Sequence, residues 1–296
     1  MAVFKHAYKG YEGPLTPAWS RFLIIPRYAL EELRRRRFFT IFYIVSMLAP
    51  LGFALVIYLT HNLSALKLLK IRDVVEINSG FFLNFLGWQS MMAFFLAAFI
   101  GPGQISPDLA NNALPLYLAR PFSRTEYVLG KLSVLLILTS IMTWIPGLLL
   151  FILQAALEGN GWLGQNLHIA SAIFFGAWIW ILVLSLLAIA LSAWVKWKPM
   201  AGGLLFGVFF VGAGFGAAIN GILSTQWGSL LNLSHLIGTV WTSLFERPEH
   251  RGSGAVFFRV HTLDTPVWTC WIALLALCAF CLYLLSRKIR GAEVVR

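Results

Sequence analysis

Side chains able to do chemistry are scarce in this sequence, and most sit between its apolar runs. Only 12% of the 296 residues are charged, against about 25% in an ordinary soluble domain. One segment, ISPDLANNALPLYLARPFSRTEYVLGK, gathers Ser106, Pro107, Asp108, Asn111, Asn112, Arg120, Pro121, Ser123, Arg124, Glu126 and Lys131. Their spacing favours helix capping and surface contact over bond breaking. Ser106 suits an N-cap, Pro107 the first helical position and Asp108 the positive helix end. Pro115 should stop that helix after about two turns. Ser123 followed by Glu126 spells a capping box that starts a second helix through Gly130 and Lys131. Between them, Arg120-Pro121 forms a corner.

Catalysis finds no support elsewhere. The sequence contains no HExxH, GxSxG or phosphate-cradling GxxxxGK[ST], so the chain does not bind ATP in that way by itself. The six histidines, His6, His61, His168, His235, His250 and His261, lie in loops or at the ends of apolar runs, where they do not serve as axial haem ligands inside a bundle. Cys270, Cys278 and Cys281 all fall in the last apolar run. They read as small apolar side chains, because their spacing matches no zinc site. No cofactor or metal is expected on this chain.

The elements that position these residues are membrane spans. The sequence is 59% hydrophobic, and a bilayer span needs roughly 20 apolar residues. Six stretches qualify: about Phe38 to Thr60, Phe81 to Ile100, Leu132 to Leu157, Ile169 to Val195, Met200 to Ser224 and Val267 to Leu285. The expected fold is an all-α polytopic membrane domain over residues 1–296. The central parts of the spans hold no Asp, Glu, Lys, Arg or His. Such groups mark proton relays and ion paths, so their absence argues against a proton- or sodium-driven carrier.

Seventeen of the 23 basic residues fall in alternate segments: the N-terminal stretch 1–37, the 101–131 loop, the Lys196 to Lys198 turn and the tail. The positive-inside rule then puts both termini and the 101–131 loop in the cytoplasm. It also accounts for the net charge of +11 without nucleic acid as a partner. Before the first span, Phe22, Ile25, Tyr28, Ala29 and Leu33 could share one face of an interfacial helix kinked at Pro26. The Arg34 to Arg37 run would anchor it to anionic lipid. In the extracytoplasmic loop 225–266, Leu230, Leu233, Ile237, Val240 and Leu244 follow a 3-4-3-4 spacing. This predicts a helix of about 15 residues at, or dipping into, the outer membrane face. In the fifth span, Gly203, Gly207, Gly214 and Gly221 fall within about 40° of one another, with Gly212 and Gly216 opposite. Small residues let membrane helices approach closely, so this helix should pack on both sides, within the bundle or against a second subunit.

The 101–131 segment resembles the stretch between the second and third spans of type-2 ABC transporter permeases. Asp108, Arg120, Pro121, Ser123, Arg124, Tyr127, Gly130 and Lys131 lie where that family shows an acidic residue, a small-residue stretch, an Arg-Pro-[Ile/Phe]-[Ser/Thr]-Arg corner and then Gly-Lys entering a span. The amphipathic N-terminal segment, six spans and outer helical segment match more loosely. The 247–251 stretch matches no pattern of the family. The resemblance implies a coupling helix docking on a separate ABC ATPase subunit that carries the ATP and Mg. It also implies a second permease copy or paralogue and residence in a bacterial-type inner membrane. Ser106 to Asn112 would then touch the ATPase, and Arg120 and Arg124 would fix the loop or bind it. The leading reading is a non-catalytic permease subunit of an exporter type. The alternative is a structural membrane anchor in a larger complex, such as a respiratory one.

Overall fold

The structure, a computed structural model, describes residues 17–62, 76–113, 117, 123–159, 161–246 and 265–289. Among the described residues every regular element is helical. A short 3-10 turn, Ala18–Leu23, leads into α1 (Ile24–Arg35). The first span is α2 (Arg37–His61). The second is α3 (Ser79–Ile100), continued by α4 (Pro102–Ala110). The third is α5 (Arg124–Met142) and α6 (Trp144–Glu158), followed by a single turn, α7 (Trp162–Gln165). The fourth and fifth are α8 (Leu167–Trp194) and α9 (Lys198–Leu223). A 3-10 turn, Trp227–Leu231, precedes α10 (Leu233–Leu244), and α11 (Val267–Lys288) is the sixth span. All six spans are long and apolar enough to cross a membrane.

Burial sorts them into a centre and a rim. In α8, 72% of the most apolar stretch is buried, against 17% in α2 and in α9 and 22% in α11. On α2, Ile41, Ile44, Leu48, Leu51, Leu55 and Tyr58 all point outward. Their 3-4 spacing makes one continuous apolar face turned away from the protein. Such a face is an aggregation liability in water and costs nothing against lipid tails. The core lies where α3, α5, α6 and α11 meet α8. Contacts of Gly176 with Leu86, Gly101 with Ala188 and Ser106 with Ser192 advance together along both chains, so α3–α4 and α8 run parallel. Trp194 donates its indole N–H to the Leu284 carbonyl at 3.3 Å, and Lys288 Nζ sits 5.2 Å from its ring centroid. These contacts join α8 to α11 at the face carrying α1 and α4, called here the basic face.

The third span breaks at Thr143 (φ −105°, ψ −86°). Pro146 has no amide to give the Met142 carbonyl, so the ladder is interrupted there. The Thr143 hydroxyl donates to the Thr139 carbonyl at 2.8 Å, and the Tyr43 hydroxyl donates to the Leu138 carbonyl at 2.7 Å. Pro26, expected to kink the N-terminal helix, lies in the first turn of α1. A missing amide costs nothing there. Ile25, Ala29 and Leu33 pack against the core, but Tyr28 is 69% exposed and leaves the expected apolar face.

The loop stripe forms as expected, though the helix is 12 residues long. Leu233, Ile237 and Val240 are buried, while Leu230 and Leu244 are partly buried. This segment folds back on the spans. The Trp241 indole N–H reaches the Gly176 carbonyl inside α8 at 2.9 Å, and His235 Nε2 lies 2.9 Å from Thr265 Oγ1 ahead of α11. The Trp227–Leu231 turn lies against α9 with backbone on backbone. A Cβ at Gly216 would overlap the Gly228 carbonyl oxygen, and one at Gly212 would sit 2.7 Å from the Leu231 carbonyl oxygen.

The other glycine stripe behaves differently. Nothing lies within 4 Å of a Cβ placed at Gly203, Gly207, Gly214 or Gly221. Packing of both α9 faces within the bundle is therefore corrected. The Gly212 and Gly216 side is filled by the returning turn, and the Gly203 stripe faces out. The two faces should respond oppositely to a methyl group. Gly216→Ala should cost about 1–2 kcal/mol, because backbone must move to admit it. Gly214→Ala should be neutral or stabilise by up to about 1 kcal/mol, the helix-propensity difference. Unfolding in mixed micelles checks both, and equal effects would contradict the contact.

Candidate functional site at the basic face

The site grows from the start of a helix. Pro102 opens α4, with Pro107 further inside it, and the first amides of a helix have no partner in its own ladder. Ser192 of α8 supplies an outside partner. Its Oγ accepts from the Ile105 and Ser106 amides, each at 3.0 Å, and donates to the Pro102 carbonyl at 3.0 Å. Ser106 returns the favour to the end of α8. Its Oγ lies 2.6 Å from the Val195 carbonyl and 2.9 Å from the Ser192 carbonyl, in the last turn where carbonyls lack helical donors. Ser106 and Ser192 are both fully buried. The start of α4 and the end of α8 thus cap each other.

Ser106 is therefore not an N-cap, because the helix starts at Pro102, and Pro107 sits inside it rather than at its first position. The expected start failed because Gly101 keeps helical angles (φ −53°, ψ −48°), so the second span runs on almost unbroken. The helix ends at Ala110, before Pro115, and Asn112 turns the chain at φ 51°. Asn tolerates that left-handed region better than most residues.

Asp108 also faces inward. Its Oδ2 accepts from Lys131 Nζ at 2.8 Å and from the Tyr127 hydroxyl at 2.7 Å. The Asp108 and Lys131 side chains are only 16% and 12% exposed. The Lys131 ammonium also lies 5.8 Å and 5.7 Å from the ring centroids of Tyr117 and Tyr127, within cation–π range. Burial, and then the Asp108 charge, raise the Tyr117 hydroxyl above its ordinary pKa. The ion pair ties the end of α4 to the start of α5.

The capping box is present. Ser123 Oγ accepts from the Glu126 amide at 3.2 Å, and the Ser123 amide donates to Glu126 Oε2 at 2.6 Å. Arg120 and Pro121 lie outside the described residues. Of the expected contact residues, Asn111, Asn112, Ser123 and Arg124 are exposed, and Glu126 is partly so. Ser106 and Asp108 face inward and contribute support rather than surface. Ser192 and Tyr117 are additional parts of the site. A lone serine ending an apolar span carries no local signal. Pro102, suited to a first helical position, was the available hint that a new helix start needs a partner here.

No family model matches this sequence, and no curated protein matches it.

Proposed function

We propose that this chain is the membrane-spanning, non-catalytic permease subunit of an ATP-driven transporter of the exporter type, with its basic face in the cytoplasm. The observation that carries the reading is the build of α4. A short helix exposes Asn111 and Asn112 at its tip, and Ser123 and Arg124 are exposed at the start of α5. It is fastened to α8 by reciprocal serine caps and to α5 by a buried ion pair. A push on that tip moves two spans and is not absorbed by slack loop. Such an element suits a partner that changes shape on binding ATP and has no chemistry of its own to offer. The resemblance of this segment to type-2 ABC permeases points the same way. A second permease copy would meet the chain through an outward apolar face such as the Gly203 stripe.

The test is purification of the tagged chain in mild detergent, with ATP hydrolysis assayed on the eluate. A copurifying ATPase is expected from the native chain. Asn111→Arg with Arg124→Glu should lower it at least roughly tenfold, because misplaced charge at a contact costs several kcal/mol, with the yield of folded chain unchanged. A chain that copurifies with redox subunits, or with no ATPase, would overturn the reading and favour a structural anchor.

A further inference from the structure

The N-terminal helix carries charge that no described carboxylate neutralises. Arg35 and Arg36 pair with Glu31 and Glu32 one turn back. Arg27, Arg34 and Arg37 are exposed and have no carboxylate partner among the described residues. Leu23, Arg27 and Arg34 fall within about 40° of one another around the helix. Ile24 and Tyr28 lie on the adjoining strip. Leu23 is 43% exposed and Tyr28 69%, so this outward surface mixes arginine with apolar side chains, and the paired Glu31 and Arg35 lie between the two strips. Only Arg36 separates α1 from the first span, which holds the surface at headgroup depth.

That surface is mechanically joined to the site above. α1 and the turn before it lie directly on α5. A Cβ at Gly130 would sit 2.8 Å from Ile25 Cδ1 and 2.9 Å from the Phe22 carbonyl oxygen. The next residue is Lys131, the cation of the buried pair with Asp108.

We propose that Arg27, Arg34 and Arg37 form a binding surface for anionic phospholipid headgroups, and that its occupancy steadies α4 through the α1 contact at Gly130 and the Lys131–Asp108 pair. Guanidinium groups match phosphate oxygens in charge and in paired donor geometry. Leu23, Ile24 and Tyr28 enter the acyl boundary beside them, as in amphipathic interfacial helices. An acidic protein partner would match the arginines but leave those apolar side chains without a counterpart. The proposal requires only that the chain lie in a bilayer. It stands or falls separately from the ATPase partnership.

The experiment uses the full chain in nanodiscs of phosphatidylcholine, alone or mixed with phosphatidylglycerol. Native mass spectrometry reads retained lipid, and hydrogen exchange reads the amides of 103–113. The native chain should retain phosphatidylglycerol, and the α4 amides should exchange more slowly in its presence. Each arginine near a charged leaflet contributes roughly fivefold in affinity, so Arg27→Gln/Arg34→Gln/Arg37→Gln should weaken retention about a hundredfold and abolish the slowing. Lys196→Gln/Lys198→Gln/Arg287→Gln removes the same charge from the same face and should leave both intact. Equal loss in the two triple variants, or none in either, would overturn the surface. Lost retention with the slowing preserved would overturn the link to α4.

Discussion

Lys131→Met should be among the most damaging single substitutions in this protein, lowering its stability by about 3 kcal/mol. Removing one partner of a buried pair leaves an uncompensated charge in low dielectric, which typically costs about 3–5 kcal/mol. The lower end applies because the Tyr127 hydroxyl still donates to Asp108 at 2.7 Å. Asp108→Asn should cost less. Its amide oxygen can still accept from Tyr127, and Lys131 keeps two aromatic rings within 6 Å, worth about 0.5–2 kcal/mol together or singly. The double substitution should therefore be milder than the sum of the two, with a coupling of about 1–3 kcal/mol. Unfolding in mixed micelles across the four variants measures it. Additive losses would mean that the pair contributes no direct attraction. If the loop transmits force, Lys131→Met should also speed hydrogen exchange at 108–113.

How far the sequence discloses this structure depends on the distance between cooperating residues. The spans are legible because a bilayer demands about 20 apolar residues in a row, a purely local property. The Ser123–Glu126 capping box is legible because donor and acceptor are three residues apart. The 3-4 spacing of Leu233, Ile237 and Val240 announces an apolar helix face, and that face is indeed buried. It does not announce that Trp241 reaches the Gly176 carbonyl, 65 residues away. The glycine-rich fifth span shows the limit most clearly. Two stripes of small residues look equivalent in sequence, and only the returning turn at Gly228 decides which of them is filled. Ser106 misleads for a related reason. Ser-Pro-Asp is a sound helix start, yet Gly101 kept its helical angles and made the start unnecessary. The serine was then free to serve another helix, one that begins 61 residues further along.

Ser192→Ala should destabilise the protein by about 3 kcal/mol, nearly as much as losing the lysine, although it deletes one oxygen from an uncharged side chain. That hydroxyl accepts from two amides and donates to one carbonyl at the junction of α3 and α4. Without it, the Ser106 amide can return to the Pro102 carbonyl, the ordinary helical pairing. The Ile105 amide is rescued less well. Its own helical acceptor would be the Gly101 carbonyl, which already takes the Gln104 amide at 3.0 Å and would have to be shared, as the Asn78 carbonyl is between the Phe81 and Phe82 amides. A poorly satisfied buried amide costs about 1–3 kcal/mol, and the lost bonds add to that. Ser106→Ala should cost only about 1 kcal/mol, since it uncovers carbonyls at the end of α8, and under-satisfied carbonyls are tolerated better than orphaned amides. Because the two serines share one network, the double variant should cost less than the sum. Hydrogen exchange gives the sharper reading. The Ile105 amide should exchange faster in Ser192→Ala while amides in the middle of α8 stay protected. Uniform loss of protection along α8 would mean that Ser192 supports the bundle at large and not the junction with α4.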